Sequence, residues 1–238
     1  RCRGLTSWDE CLSREEEIPF NGRRKAAFLE SLKSSVDALG AGQIGFFTST
    51  FPNSEHWRIL SDYFDEATFI DVETTGISWH MSHVSVIAAL HRGKLHSFVQ
   101  GENLDDFLDC ADEAVLIVTF NGNSFDIPFL ERAFHVPSLF RAHVDLRWIA
   151  WHLGYKGGLK AIERQMGIRR PTHIEGIDGI EAVELYHRWL QGDGEARKTL
   201  IRYCMGDVIS TRLVAERLLA LTGCGKELSN PEDVFSLI

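Results

Sequence analysis

Two carboxylates two residues apart at the end of an apolar run, Asp71 and Glu73 in FIDVETTG, are the residues of this chain best suited to do chemistry. Side chains two apart on a β-strand point to the same face, so both acids look the same way. An apolar strand does not hold two unpaired charges cheaply, and a hard divalent cation such as Mg²⁺ or Mn²⁺, which prefers carboxylate oxygens, is the natural partner. Thr74-Thr75-Gly76 then turns the chain sharply. That turn brings backbone N–H groups and hydroxyls to the rim, where they could hold a phosphate or a terminal nucleotide.

Two further constellations could complete such a site. Asn121-Gly122-Asn123-Ser124-Phe125-Asp126 follows an apolar strand and opens a helix with Pro128 in its first turn. Asp126 is therefore expected at a helix N-terminus, where the dipole favours its ionised form and keeps it available to a metal. Taken alone it reads better as an N-capping aspartate, and only its company raises it. Tyr203-Cys204-Met205-Gly206-Asp207 lies inside a long helical pattern, so Tyr203 and Asp207, four apart, share one face. The carboxylate could ligate a metal while the phenol orients a water. Gly206 costs that helix roughly 1 kcal/mol and implies a close approach by a neighbour.

The elements that must position these residues follow from periodicity. Strands are predicted over Ala67–Val72, Val84–Leu90, Lys94–Val99 and Val115–Phe120, with a shorter one ending near Asp145. His91-Arg92-Gly93-Lys94 is a turn of hairpin length, so the first three strands pair antiparallel. Helices are predicted over Phe125–Phe134, Leu146–Leu153, Leu159–Met166, Ile180–Leu190 and Glu195–Leu221. Before the strands come a short helical piece around Thr6–Leu12 and an amphipathic helix around Lys25–Leu39. The expected class is α/β: a mixed five-stranded sheet, three antiparallel strands then parallel ones, flanked by helices. The expected organisation is a helical arm over 1–62, the α/β domain over 63–225 and a tail over 226–238.

Composition narrows the function. At 238 residues with 44% hydrophobic residues the chain can bury a full core. No run approaches a membrane span or the apolar core of a signal peptide, so a soluble, cytoplasmic protein without membrane partners is expected. The five scattered cysteines lack a C-x-x-C pair, which argues against a disulfide framework or thiolate zinc site. A net charge of −9 means that any contact with nucleic acid must use local patches. Lys156, Lys160, Arg164, Arg169 and Arg170 form one candidate and Arg23-Arg24-Lys25 another, although a charge run by itself commonly just keeps a helix surface wet.

Taken together, DVETTG, then N-x-x-x-F-D, then Y-x-x-x-D resemble the three motifs of DEDD-type 3′–5′ exonucleases of the ribonuclease H-like superfamily. HWRILSDYF, FNGNSFDIPFL and GLKAIERQMGI further resemble the YprB-type ribonuclease H-like domain, over about residues 55–222. Arg202 followed by Tyr203 matches the tyrosine branch. The resemblance implies a ribonuclease H-like fold. It also implies that Asp71, Glu73, Asp126 and Asp207 ligate two Mg²⁺ or Mn²⁺ ions, with Tyr203 positioning the attacking water. Thr74, Thr75, Gly76, Asn121 and Phe125 are the implied contacts to a single-stranded 3′ end, DNA or RNA.

Other residues compete weakly. His80 and His83 could ligate zinc but lack further ligands at the right spacing. Asp145 is a lesser candidate for an auxiliary acid, and Trp148 and Trp151 read as packing residues rather than base-stacking platforms. A non-catalytic nucleic-acid-binding scaffold and a structure-selective endonuclease are the alternatives to an exonuclease.

Overall fold

The computed structural model describes residues 7–238 apart from Ile77, Trp79, His80 and Lys226. The proposed His80–His83 pair therefore lies partly outside the described residues. Five strands form one sheet in the order β3-β2-β1-β4-β5. They are β1 (Ala67–Thr74), β2 (Val84–His91), β3 (Lys94–Val99), β4 (Leu116–Thr119) and β5 (His143–Asp145). β1, β2 and β3 pair antiparallel, whereas β4 runs parallel to β1 and β5 parallel to β4. Arg92 and Gly93 close the β2–β3 hairpin with φ of +48° and +73°, the left-handed pair that a two-residue turn needs to match strand twist.

Eleven α-helices are formed by the described residues. Four precede the sheet: α1 (Trp8–Ser13), α2 (Gly22–Gly40), α3 (Ile44–Thr50) and α4 (Trp57–Tyr63). α5 (Phe107–Glu113) joins β3 to β4, and α6 (Asp126–Phe134) joins β4 to β5. After β5 come α7 (Leu146–His152), α8 (Leu159–Gln165), α9 (Gly179–Leu190), α10 (Gly194–Leu221) and α11 (Pro231–Phe235). Helices α3, α4, α5 and α11 go beyond the sequence expectation. Each is seven residues or fewer, too short to show two repeats of a helical stripe. No described helix is long and apolar enough to cross a membrane.

The period of two in β1 separates two cores. Ile70 and Val72 join Ile87, Ala89, Ile117 and the buried residues of α5 and α6 on one face. Phe69 joins Val86, Ala88, Leu116, Val118 and the buried stripe of α10 on the other. Ala38, Ile44, Phe47 and Leu60 from the N-terminal helices, and Phe235 from α11, are buried in that second core. Asp71 and Glu73 have the parity of Phe69, so they point toward α10.

Candidate active site

The end of β1 is bent by a register irregularity: Glu73 lies opposite Val86 but Thr74 opposite Val84. The skipped Ser85 donates its hydroxyl to the Glu73 carbonyl at 3.0 Å. Such a bulge re-aims the strand end, here directly after the second acid. Thr74 and Gly76 line the cleft beside the acids. The Thr74 hydroxyl donates to the Gly76 carbonyl at 2.7 Å. Thr75 faces β2, its N–H donating to the His83 carbonyl and its hydroxyl accepting from the His83 N–H at 3.0 Å. The Thr75 N–H and hydroxyl oxygen, expected at the rim, thus help to close the turn onto His83.

Helix α10 brings Tyr203 and Asp207 over Asp71 and Glu73. Cys204, buried between them, lies with its Sγ 3.4 Å from the Asp71 carbonyl oxygen and 3.6 Å from Asp71 Oδ2. Ligand atoms of Asp71, Glu73 and Cys204 all lie within 4.8 Å of one another. Burial and the surrounding carboxylates push the Cys204 thiol well above its ordinary range, so it is an S–H donor rather than a thiolate ligand. Gly206 has the close approach its position implied: a Cβ there would fall 2.5 Å from Cδ1 of the fully buried Ile174. This lets the segment carrying Arg170 pack onto α10 next to Asp207.

Two cations reach this cluster. Lys160 on α8 donates from Nζ to the Tyr203 hydroxyl at 2.5 Å and sits 4.4 Å from the ring centroid. Arg170, only 5% exposed, donates Nη2 to Glu163 Oε1 at 2.5 Å and Nε to Glu163 Oε2 at 2.9 Å, and forms an ion pair with Asp207. Burial opposes the Arg170 charge, but Asp207 and Glu163 outweigh it and raise its pKa above the ordinary arginine value. Neither contact was expected from the sequence, where Lys160 and Arg170 read as members of one basic run.

The third segment is held by its turn. Asn121 adopts φ +69°, a left-handed conformation that asparagine tolerates, and its side-chain oxygen accepts from Arg147. A Cβ at Gly122 would lie 2.1 Å from Thr119 Oγ1, so only glycine fits. Asp145, considered as an auxiliary acid, instead accepts from the N–H groups of Asn121 (2.8 Å), Arg147 (3.0 Å) and Asn123 (3.1 Å). It fixes the turn that delivers Asp126. Phe125 packs on Phe129 with ring centroids 4.8 Å apart and lines the cleft with Asp126.

Asp71, Glu73, Asp126, Tyr203 and Asp207, drawn from β1, α6 and α10, thus line one cleft of about 670 Å³ with Thr74, Gly76, Asn121 and Phe125. The sequence model described as RNase_H superfamily matches residues 68–219, the interval that contains all five. The chain belongs to the RNase_H superfamily. Its fold is similar to part of the family B DNA polymerase from the hyperthermophilic archaeon Pyrobaculum calidifontis, with a TM-score of 0.53, 22% identity and 64% of this chain covered. The match spans 24% of the polymerase chain. A second similar structure, the Aedes aegypti Nibbler EXO domain, aligns with a TM-score of 0.35 and 15% identity over 76% of this chain and 90% of that one. No curated protein matches significantly.

Electrostatics distinguish this RNase_H-superfamily site from an ordinary polar patch. Burial, then repulsion from Asp207 and the other acids, raises Asp71 and Glu73 well above the carboxylate range, with Lys160 and Arg170 relieving Glu73 in part. Asp126 is pushed up to about 7, chiefly by burial, with only partial relief from the backbone N–H groups of Asp126 and Val72. This corrects the expectation that a helix N-terminus keeps Asp126 ionised, because desolvation of a carboxylate that is 4% exposed outweighs the helix dipole.

A carboxylate whose folded pKa is raised destabilises the fold above that pKa and ceases to do so as it protonates. The metal-free protein is therefore expected to gain stability as pH falls from about 8 to about 6, by roughly 1.4 kcal/mol per pH unit for each proton taken up. Mn²⁺ should raise the melting temperature more at the higher pH, where it need not displace protons. Thermal melts in chelator and in Mn²⁺ across that range check this; a flat profile with no response to metal would contradict it.

A second cleft, of about 700 Å³, shares Asp71, Phe120, Asn121, Tyr203 and Asp207 with the first. Trp148 and Trp151 line it at 40% and 60% exposure, so they are not the packing residues the sequence suggested. The apolar stripe of α7 consists instead of Leu146, Ile149 and Ala150, which are fully buried. The basic run splits as well: Lys156 is exposed in this cleft, Lys160 bonds Tyr203, the side chain of Arg170 is buried, and Arg164 and Arg169 are exposed.

Proposed function

We propose that the chain is a metal-dependent 3′–5′ exonuclease of the tyrosine branch of the DEDD group, cleaving phosphodiester bonds in nucleic acid. The observation that carries this reading is the convergence of four carboxylates and one tyrosine from three distant segments onto a single cleft. Superfamily membership supports it, and the motif resemblance supplies the polarity. The donor set fits hard divalent cations: buried, mutually repelling carboxylates hold protons they would surrender to metal, and Asp71, Glu73, Asp126 and Asp207 would hold the ions. Bound there, two such ions lower the pKa of a water and stabilise the leaving 3′-oxygen.

The protein groups have separate tasks. Tyr203 is not a base, since burial and then the neighbouring carboxylates raise its pKa well above the ordinary value. Its oxygen accepts from Lys160, which leaves its own proton free to be donated to a water or phosphate oxygen. Arg170 fixes the orientation of Asp207. Thr74, Gly76, Asn121 and Phe125 line the space for the terminal nucleotide.

A 5′-labelled single-stranded oligonucleotide incubated with Mn²⁺ should shorten one nucleotide at a time. Internal cuts would make the protein an endonuclease. The absence of any metal-dependent product would make it a binding scaffold.

A further inference from the structure

The two clefts that meet at the carboxylates differ in charge. The cleft holding Glu73, Asp126 and Phe125 is lined by no lysine or arginine among the described residues and gains a fifth acid, Asp178. The other is lined by three cations, Arg147, Lys156 and Lys160, and by three aromatic side chains that the first lacks, Trp148, Trp151 and Tyr155. Outside the carboxylates that would hold the ions, a strand with several phosphates finds lysine and arginine only along the second cleft, among the described residues. Only the end of the strand, a nucleoside without further phosphates beyond it, suits the acidic side.

We infer that the Trp148–Lys156 cleft is a track for single-stranded nucleic acid, holding the nucleotides 5′ of the bond to be cut by base stacking and phosphate pairing. The inference rests on the proposed phosphodiesterase reading and adds the polymer's path to it. Trp148 and Trp151 are three apart on α7, hence on one face, and their exposure in a concavity leaves indole surface that no protein group covers. Burial of such surface on unpaired bases is sequence-tolerant, because every base offers a π face, whereas a duplex keeps its base faces stacked inside. Tyr155 and Lys156 follow α7 in a short loop made possible by Gly157 at φ +114°, a conformation that a side chain would strain. Arg147 anchors the near end, bonded to Asn121, which lines both clefts. Lys160 then lies beside Tyr203, where the track reaches the acids.

The test measures binding of a fluorescein-labelled thymidine hexamer to the full chain, by anisotropy in Ca²⁺, alongside its duplex and a thymidine dimer. Trp148→Ala and Trp151→Ala should each weaken hexamer binding by roughly 10-fold, and the dimer by less. Lys156→Ala should lower the slope of log affinity against log salt by about 0.7, one phosphate contact on a single strand. Duplex should bind more weakly than the single strand. Circular dichroism of each variant separates lost contacts from lost folding, and Trp151→Phe should retain most of the affinity. Hexamer affinity unchanged by both tryptophan substitutions would overturn the track, as would a preference for duplex. Binding that depends on the tryptophans without any Mn²⁺-dependent cleavage would keep the track and sink the exonuclease reading. Cleavage indifferent to them would do the reverse.

Discussion

Asp71→Asn is expected to reduce Mn²⁺-dependent nucleotide release by about 10³-fold or more while making the metal-free protein more stable, two effects of opposite sign from one atom exchanged. The activity loss follows because Asp71 lies where both clefts meet and a neutral amide is a poor ligand for a hard cation. A factor of 10³ is about 4 kcal/mol of transition-state stabilisation, a reasonable share for a metal-holding group. The stability gain follows from the repulsion among Asp71, Glu73, Asp126 and Asp207, which burial makes worse. Removal of one carboxylate charge should stabilise the fold by roughly 1–3 kcal/mol above neutral pH, and the rise in melting temperature on adding Mn²⁺ should shrink. Single-turnover assays and melts in chelator measure the two arms. A variant that keeps full activity removes Asp71 from the metal site; one that is inactive but also less stable would make the aspartate a structural residue.

Most of the frame that holds Asp71 was legible in local pattern. β1, the Arg92-Gly93 hairpin and α10 are long or tightly constrained, so periodicity and turn chemistry find them with few competitors. Gly206 and the shared face of Tyr203 and Asp207 were readable for the same reason. Illegible features depend on what the chain meets far away in sequence. Trp148 and Trp151 have the spacing of a buried stripe, and only the sheet decides that Ile149 turns inward and the indoles outward. Asp126 obeys the helix-dipole rule locally, yet burial by the rest of the fold pushes its carboxyl up to about 7. Arg170 reads as one charge in a run of five until Gly206 lets Ile174, and with it the Arg170 segment, close on Asp207.

That last contact carries a large expected stability effect. Arg170→Leu removes the only cation bonded to Glu163 among the described residues, where the Glu163 side chain is 4% exposed, and it also strips Asp207 of its ion-pair partner. Breaking one side of a buried ion pair costs about 3–5 kcal/mol, since the remaining charge is left without solvent or partner. Glu163 is the larger part of that cost, because both of its oxygens accept from the Arg170 guanidinium. A double variant, Glu163→Leu with Arg170→Leu, should therefore recover a substantial part of the lost stability, as apolar replacements of buried ion pairs often do. It should not recover activity, because Asp207 would still lack the guanidinium that orients it. Without Arg170 the repulsion between Asp207 and its neighbours Asp71 and Glu73 is no longer offset, so Mn²⁺ should stabilise Arg170→Leu by more than it stabilises the unaltered protein. Urea melts of the single and double variants with and without Mn²⁺ separate these contributions. A double variant no more stable than Arg170→Leu would show that Glu163 is not where the energy lies, and an undiminished turnover in either variant would remove Arg170 from the positioning of Asp207.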